Sequence, residues 1–140
     1  MKLDLTSLEN AVDQLGEALI FYDQESGKSD MMQRQLRAAT IQAFEFTYEI
    51  TVKMLRRHLE AVSDSPEAVD GMSFSDIIRE AYRLGLVPSD VTVWREYRKN
   101  RTITSHTYDV TKALQVFGSI PGFLEEARYV MGKLRERNRS

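Results

Sequence analysis

The chain has 140 residues, 42% of them hydrophobic and 29% charged, with a formal net charge of −2. This length and composition are typical of one globular domain, so we predict a single domain over residues 1–140. The near-neutral charge excludes a wholly basic nucleic-acid-binding surface, and the absence of cysteine excludes disulfides, zinc ribbons and thiol nucleophiles.

The N-terminal segment does not resemble a targeting signal. It carries Asp4, Glu9, Asp13 and Glu17, whereas a signal peptide needs a basic start and an uninterrupted apolar run. No segment approaches the roughly 18 consecutive apolar residues of a membrane span. We therefore expect a cytoplasmic protein with no membrane partner.

Apolar residues spaced alternately three and four apart predict the first helix. We expect this helix to end near Ser26 and Gly27, with Gly27 in the left-handed conformation that favours glycine at helix ends. The apolar stripe consists of Leu5, Leu8, Val12, Leu15, Leu19 and Tyr22.

The second predicted helix runs from about Asp30 to Val62 and is apolar on two nearly opposite faces. One stripe comprises Met32, Leu36, Ala39, Ala43, Phe46 and Ile50, and the other comprises Ile41, Phe44, Tyr48, Val52, Leu55 and Leu59. One face should pack within the chain's own bundle, and the other should meet a second copy or a partner. The alternative is a central helix that its own chain surrounds.

Residues 63–71 read as an acidic linker around Pro66. Ser73 is a good N-cap for a short helix that ends at Gly85, and Ser89 or Asp90 should cap a further helix from Val91 to about Arg101.

The β-branched residues at 102–104 weaken helix formation, so we expect a new helix from near Ser105. Pro121 should break or kink that helix, because proline lacks the N–H donor and clashes with the preceding turn. No segment alternates with period two. The predicted fold is therefore all-α, an antiparallel up-and-down helical bundle of four to five helices.

The most unusual cluster of residues is an arginine, a histidine and a tyrosine within eight positions. Residues 94–101 carry four basic side chains and one acidic one, and they lead into Arg101, His106 and Tyr108 with the spacing R-x-x-x-x-H-x-Y. Arginine offers a fixed fork of donors for phosphate, and histidine changes protonation near neutral pH. This pattern predicts a phosphate-handling site in which Arg101 and His106 are candidate catalytic residues.

A purely structural interpretation of the same residues remains open. In that case Arg101 pairs with Asp109, His106 caps a helix and Tyr108 is half-buried. We expect no metal site, because carboxylate sites in helical bundles use Glu-x-x-His pairs and neither histidine is preceded by glutamate at that spacing. Glu45 and Glu49, one turn apart, are interpreted as a solvated or salt-bridged strip.

A helix-turn-helix DNA-binding protein is a less favoured alternative. Residues 73–85 and 89–101 have its outline, and the second helix is basic. However, the N-terminal end of that helix, which usually reads the bases, is acidic or apolar here, and Trp94 is better explained as a core residue.

Several segments in order along the chain resemble one known family. These are residues 41–50 (IQAFEFTYEI), then Lys53, Gly85-Leu86 and Trp94, and finally residues 105–109 (SHTYD). Over about residues 35–130 the chain resembles the nucleotidyltransferase substrate-binding family, a branch of the HEPN superfamily. One departure is Thr102, which stands where the family usually has asparagine.

The resemblance implies a helical bundle that forms a homodimer and partners a minimal nucleotidyltransferase in a toxin–antitoxin module. The helical member is the candidate toxin, often a metal-independent ribonuclease, and the nucleotidyltransferase silences it by adenylylating the motif tyrosine. By position, the catalytic roles fall on Arg101 and His106. Modification or nucleotide binding falls on Tyr108, with Arg98 and Lys99 beside it.

A symmetric dimer with the motifs facing each other would supply two copies of His106, as acid–base cleavage of RNA requires. We expect an RNA or nucleotide ligand and no cofactor. The chain lacks G-x-x-x-x-G-K, so it is not expected to be the nucleotidyltransferase itself.

Overall fold

The computed structural model describes residues 2–139, which form six α-helices and two short 3₁₀ helices and contain no strand. The helices are α1 (Thr6–Glu25), α2 (Asp30–Val62), α3 (Pro66–Asp70), α4 (Phe74–Arg83), α5 (Val91–Ile103) and α6 (Val110–Arg139). The 3₁₀ helices span Ser26–Lys28 and Thr104–His106. The predicted all-α bundle is confirmed, with the one-turn α3 as an additional helix. None of the helices described is long and apolar enough to cross a membrane.

The three long helices form the framework of the bundle. α1 and α2 run antiparallel, because Thr47 of α2 donates to the carbonyl of Ala11 at 3.2 Å while the C-terminal half of α1 lies beside the start of α2. α6 runs antiparallel to α1, with Arg135 bonded to Glu9 at one end and Phe117 against Tyr22 at the other. The N-terminus of α6 therefore lies at the same end of the bundle as the α1–α2 connection.

The core is built from aromatic rings of three helices. Phe44 of α2, Trp94 of α5 and Phe123 of α6 are fully buried. The ring centroids of Phe44 and Phe123 are 5.2 Å apart and those of Trp94 and Phe123 are 5.9 Å apart, both edge-to-face, a favourable geometry. Trp94 is thus the core residue that the sequence predicted.

The two faces of α2 have different environments. Its bounds match the prediction, and Ser29 caps it by accepting a hydrogen bond from the Met32 amide at 3.0 Å. The stripe that contains Phe44 is buried or half-buried along its whole length. On the other stripe Ala39 is exposed and Phe46 is 54% exposed. One apolar face therefore packs inside the bundle, and the other is partly open.

The connection between α1 and α2 differs from the prediction. Gly85 is the one glycine within residues 2–139 that has a positive φ, at 75°, so the left-handed conformation predicted for Gly27 is wrong. The chain instead continues from α1 into the 3₁₀ helix Ser26–Lys28, and the extended Ser29 then starts α2. A right-handed 3₁₀ turn of this kind has negative φ angles, so it does not require the left-handed conformation that favours glycine.

The segment predicted as a linker contains α3. Pro66 is at its first position, where a missing N–H costs nothing, and Val69 is buried against the core. The next two helices follow the predicted boundaries, since Ser73 and Asp90 cap α4 and α5 through their side chains and Gly85 ends the turn after α4.

The last helix is the largest departure from the sequence prediction. It begins at Val110 rather than near Ser105, because Asp109 caps it by accepting from the Thr111 amide at 2.9 Å. It also continues through Pro121 to Arg139. The proline is exposed while Ile120 and Phe123 are fully buried, so packing of the opposite face holds the helix together across the missing hydrogen bond.

Candidate functional site

Arg101, at the end of α5, is attached to α2 by two carboxylates. Its Nε lies 3.2 Å from Glu49 Oε1, its Nη2 contacts the same oxygen, and Nη2 lies 3.6 Å from Glu45 Oε1. These contacts, led by the hydrogen bond to Glu49, raise the pKa of Arg101 above its ordinary value. The salt-bridged interpretation of Glu45 and Glu49 is confirmed. The alternative pairing of Arg101 with Asp109 is not found among the described contacts.

Thr104 completes the attachment. Its hydroxyl donates to Glu45 Oε2 at 2.8 Å and accepts from Arg101 Nη1 at 3.3 Å, and the residue is buried. The start of the 3₁₀ helix is thereby fixed to α2. Thr104 is a site residue that the motif spacing does not include, although a threonine three residues after an arginine at a weak helix end is a usable signal.

His106 and Tyr108 lie at the surface beyond that attachment. Their ring centroids are 6.1 Å apart with the ring planes at 72°. His106 is exposed, and Tyr108 is 84% exposed, so the half-buried position of the structural alternative is wrong. The phenol oxygen is open to a partner or a reagent from solution.

Arg98 and Lys99 do not join this group. The Arg98 guanidinium lies over the Phe74 ring of α4, 4.9 Å from its centroid, and Lys99 is exposed. Within residues 2–139, no hydrogen bond, ion pair or ring contact links either side chain to Tyr108. The side chain of Asn100, between Lys99 and Arg101 in the sequence, is instead buried against α6, where it accepts from Gln115 at 3.4 Å.

Two arginines near the start of α2 lie beside Tyr108 instead. Arg34 and Arg37 line a concavity of about 190 Å³ together with Thr107, Tyr108 and Val110. Neither arginine is assigned to the site by the sequence pattern, because about 70 positions along the chain separate them from the motif. A pair of arginines three apart on a helix shares one face, and that spacing was the only available signal.

A buried tyrosine lies behind Arg101. Burial raises the pKa of Tyr48 to about 12, although the positive charges of Arg98 and Arg101 oppose the rise. Its phenol therefore stays neutral at physiological pH and serves as packing. Among the tyrosines of residues 2–139, Tyr108 is the most exposed, at 84% against 50% for Tyr82 and 38% for Tyr129.

Comparison with known proteins identifies the family. Residues 3–136 match the sequence profile described as nucleotidyltransferase substrate binding protein like. The chain belongs to this family. A curated relative from Haemophilus influenzae, called a probable ribonuclease HepT, is 41% identical over 132 residues, which span 94% of this chain and 87% of the relative.

Solved structures agree with the family and the fold. A Haemophilus influenzae structure, described as the fold of a substrate-binding domain of a nucleotidyltransferase, is 36% identical with a TM-score of 0.85, over 94% of this chain and 99% of that one. A Thermus thermophilus structure is 27% identical with a TM-score of 0.64, over 86% and 98%. This chain is a helical domain of the nucleotidyltransferase substrate-binding family.

The family assignment and the geometry both weigh against the helix-turn-helix alternative. Of the basic side chains on α5, Arg101 is bonded to α2 and Arg98 covers Phe74. Trp94, near the N-terminal end where bases are usually read, is fully buried. Two of the four basic side chains of α5 are thus engaged within the bundle, whereas Arg95 and Lys99 remain exposed.

Proposed function

We propose that this chain is the helical partner of a minimal nucleotidyltransferase, the toxin of a toxin–antitoxin pair, with Tyr108 as the residue that the partner modifies. The observation that carries the proposal is the 84% exposure of Tyr108 beside His106, at the end of a segment fixed to α2. The relative described as a substrate-binding domain of a nucleotidyltransferase supports the choice of partner. The cytoplasm, where nucleoside triphosphates are available, is the matching location.

The modification is a nucleotidyl transfer from a nucleoside triphosphate bound by the partner. The phenol oxygen of Tyr108 attacks the α-phosphorus, a phosphodiester forms, pyrophosphate leaves and the phenol proton passes to a base. A base is needed because the attack on phosphorus releases this proton. The product carries a negative phosphate two residues from His106.

A second function, metal-independent RNA cleavage, is favoured by the relative called a probable ribonuclease and by the same motif. His106 would accept the proton of the ribose 2′-hydroxyl as its oxygen attacks phosphorus, and an acid would protonate the departing 5′-oxygen. Arg101 would stabilise the negative charge on the phosphorane. A nucleotide on Tyr108 would then block this surface.

One chain offers a single motif histidine, so we propose a homodimer in which two motifs face a common cleft. The partly open stripe of α2 supports this arrangement. Ala39 and Phe46 are exposed on it, and Ile20 and Phe21 of α1 lie beside it at 57% and 50% exposure. These helices border a groove of about 520 Å³. Pairing two copies through this apolar face removes it from water and places Glu49 and Arg101 at the edge of the interface.

The partnership and the RNA cleavage are tested separately. For the partnership, co-expression with a minimal nucleotidyltransferase from the same genome should give a complex that stays intact in size-exclusion chromatography with light scattering. Elution of the two proteins separately at micromolar concentration would overturn the partnership.

RNA cleavage is tested in excess EDTA with the parent, His106→Ala and His58→Gln, the last changing the chain's other histidine. Cleavage by the parent and by His58→Gln, but not by His106→Ala, is expected. Equal cleavage by His106→Ala would remove His106 from the mechanism. If a folded parent with unmodified Tyr108 does not cleave RNA, the ribonuclease function is overturned and only the binding function remains.

A further inference from the structure

We propose that Arg34 and Arg37, with the apolar wall beside Tyr108, form a binding subsite for a nucleoside phosphate. The inference rests on the proposed function, because it names what the surface around Tyr108 holds. The nucleoside phosphate comes either from an RNA strand next to His106 or from the nucleotide attached to Tyr108. Both sources present the same chemistry, a base and a ribose joined to an anionic phosphodiester.

The shape of the concavity suits such a ligand. Arg34, Arg37 and Tyr108 border it, and Ile41, Val110 and Ala113 provide apolar surface. Its volume of about 190 Å³ equals that of roughly six waters at ~30 Å³ each, enough for a base or for a phosphate with part of its sugar. A base can lie on the apolar surface and stack on the exposed Tyr108 ring, as bases do on aromatic side chains in single-strand binding proteins.

The charges of the concavity are unbalanced in the free protein. Neither Arg34 nor Arg37 makes an ion pair or a side-chain hydrogen bond within residues 2–139, and no carboxylate lies among the lining residues. Five other arginines of the described residues form ion pairs, among them Arg83 with Glu80 and Arg135 with Glu9. Two guanidinium groups three residues apart with no anion form a site that a phosphate would complete, because charge-assisted bonds to phosphate are strong and often bidentate.

The proposed phosphate ligands differ from those expected from the sequence. The sequence places Arg98 and Lys99 beside Tyr108 as candidate nucleotide-binding residues, but the Arg98 side chain covers Phe74 on the α4 side. Arg34 and Arg37 approach Tyr108 from α2, and Glu45 on the same helix is bonded to Thr104. One helix thus carries both the anchor of Arg101 and the proposed phosphate ligands.

The first experiment titrates 5′-AMP, and adenosine as the probe without phosphate, into the unmodified protein and follows binding by NMR. The double variant Arg34→Gln/Arg37→Gln should weaken AMP binding at least tenfold and leave the weaker adenosine binding nearly unchanged. Arg57→Gln is the matched control. It makes the same type of substitution, with the loss of one positive charge, at an exposed arginine on α2, about 30 Å along the helix from Arg37 at 1.5 Å per residue.

Two results would overturn the subsite. One is AMP binding by the double variant equal to that of the parent, with circular dichroism showing both folded. The other is no binding of millimolar AMP by the parent. Neither requires the nucleotidyltransferase or RNA cleavage, so failure of the subsite is distinguishable from failure of the proposed function.

Two further arms identify the source of the nucleotide. If RNA supplies it, a 2′-O-methyl oligoribonucleotide that resists cleavage should bind the double variant at least tenfold more weakly than the parent. If the nucleotide on Tyr108 supplies it, oligonucleotide affinity is unchanged by the double variant, and protein modified on Tyr108 no longer binds added AMP. An unchanged oligonucleotide affinity together with AMP binding by the modified protein contradicts both sources and the subsite.

Discussion

Arg101 of α5 donates to Glu49 of α2 through its Nε at 3.2 Å, so the motif arginine is oriented by a helix more than fifty positions earlier in the chain. The side chains of Arg101 and Glu49 are 29% and 52% exposed. Pairs this accessible to water contribute about 0–1 kcal/mol to stability. What the contact does show is an orientation, since it holds the Arg101 guanidinium against α2.

Removing the carboxylate should affect activity more than folding. Glu49→Ala is expected to change the free energy of unfolding by less than ~1 kcal/mol and to lower kcat for RNA cleavage about tenfold, with a smaller effect on KM, because a guanidinium free to rotate stabilises the phosphorane less well. Glu49→Gln keeps an oxygen acceptor and should retain most of the activity. Urea unfolding and steady-state kinetics measure the two effects, and an unchanged kcat in Glu49→Ala would show that the contact does not position Arg101.

The open stripe of α2 predicts a variant that separates the proposed dimer. Phe46→Glu places a charge on an apolar side chain that is 54% exposed, so the monomer should fold while the dimer dissociates at least tenfold more readily. Val62→Glu makes the same type of change at a residue 57% exposed at the far end of α2, and it should leave association unchanged. Sedimentation equilibrium measures the association of each variant. Equal association of the two variants would show that the interface lies elsewhere on the surface.

A buried carboxyl predicts a stability that falls as pH rises. Burial raises the pKa of Glu126 above its ordinary value, although the neighbouring Ser89 hydroxyl and Trp94 indole oppose the rise. The folded state therefore binds this proton more tightly than the unfolded chain does. The resulting stability is complete below the unfolded pKa near 4.5 and is lost as pH rises through the higher folded value.

Glu126→Gln should remove this dependence, because the amide carries no charge and can still bond to Ser89. Urea titrations should find the variant more stable than the parent at pH 8, with the advantage shrinking towards pH 4. A parent that remains more stable than Glu126→Gln at pH 8 would contradict the assigned cause.

A buried histidine gives the opposite trend. Burial, with help from the positive charge of Arg137, lowers the pKa of His58 below its ordinary value. The unfolded chain therefore takes up this proton first, and stability is lost as pH falls through the unfolded pKa near 6.5 towards the lower folded value. His58→Gln should lose less stability than the parent between pH 7.5 and pH 5.5. The control His106→Gln changes an exposed histidine and should follow the parent, so identical losses in both variants would rule out His58 as the cause.

Local sequence signals predicted most of the helices, since caps and apolar spacing act over a few residues. The bounds of α2, the cap at Ser73 and the turn at Gly85 are examples. The break that the same local rules allow at Pro121 does not occur, because burial of Ile120 and Phe123 outweighs one missing hydrogen bond. Tertiary packing decides whether such a helix continues, and a single stretch of sequence does not show which residues of other helices pack on it.

The candidate site was only partly predictable for the same reason. The spacing of Arg101, His106 and Tyr108 could be read directly, and helical geometry put Glu45 and Glu49 on one face. Which helix this face meets depends on how α5 packs on α2. Arg34 and Arg37 lie beside Tyr108 only because the start of α2 and the start of α6 share one end of the bundle.

The central claim is that the partner nucleotidyltransferase acts on Tyr108, and intact-mass spectrometry tests it most directly. The parent and Tyr108→Phe are incubated with the partner enzyme, ATP and Mg²⁺, and the modified residue is located by fragmentation. The account predicts that the parent gains the mass of one AMP group on Tyr108 and that Tyr108→Phe gains none. A parent whose mass is unchanged by an active partner, or a modification on another residue, would contradict it.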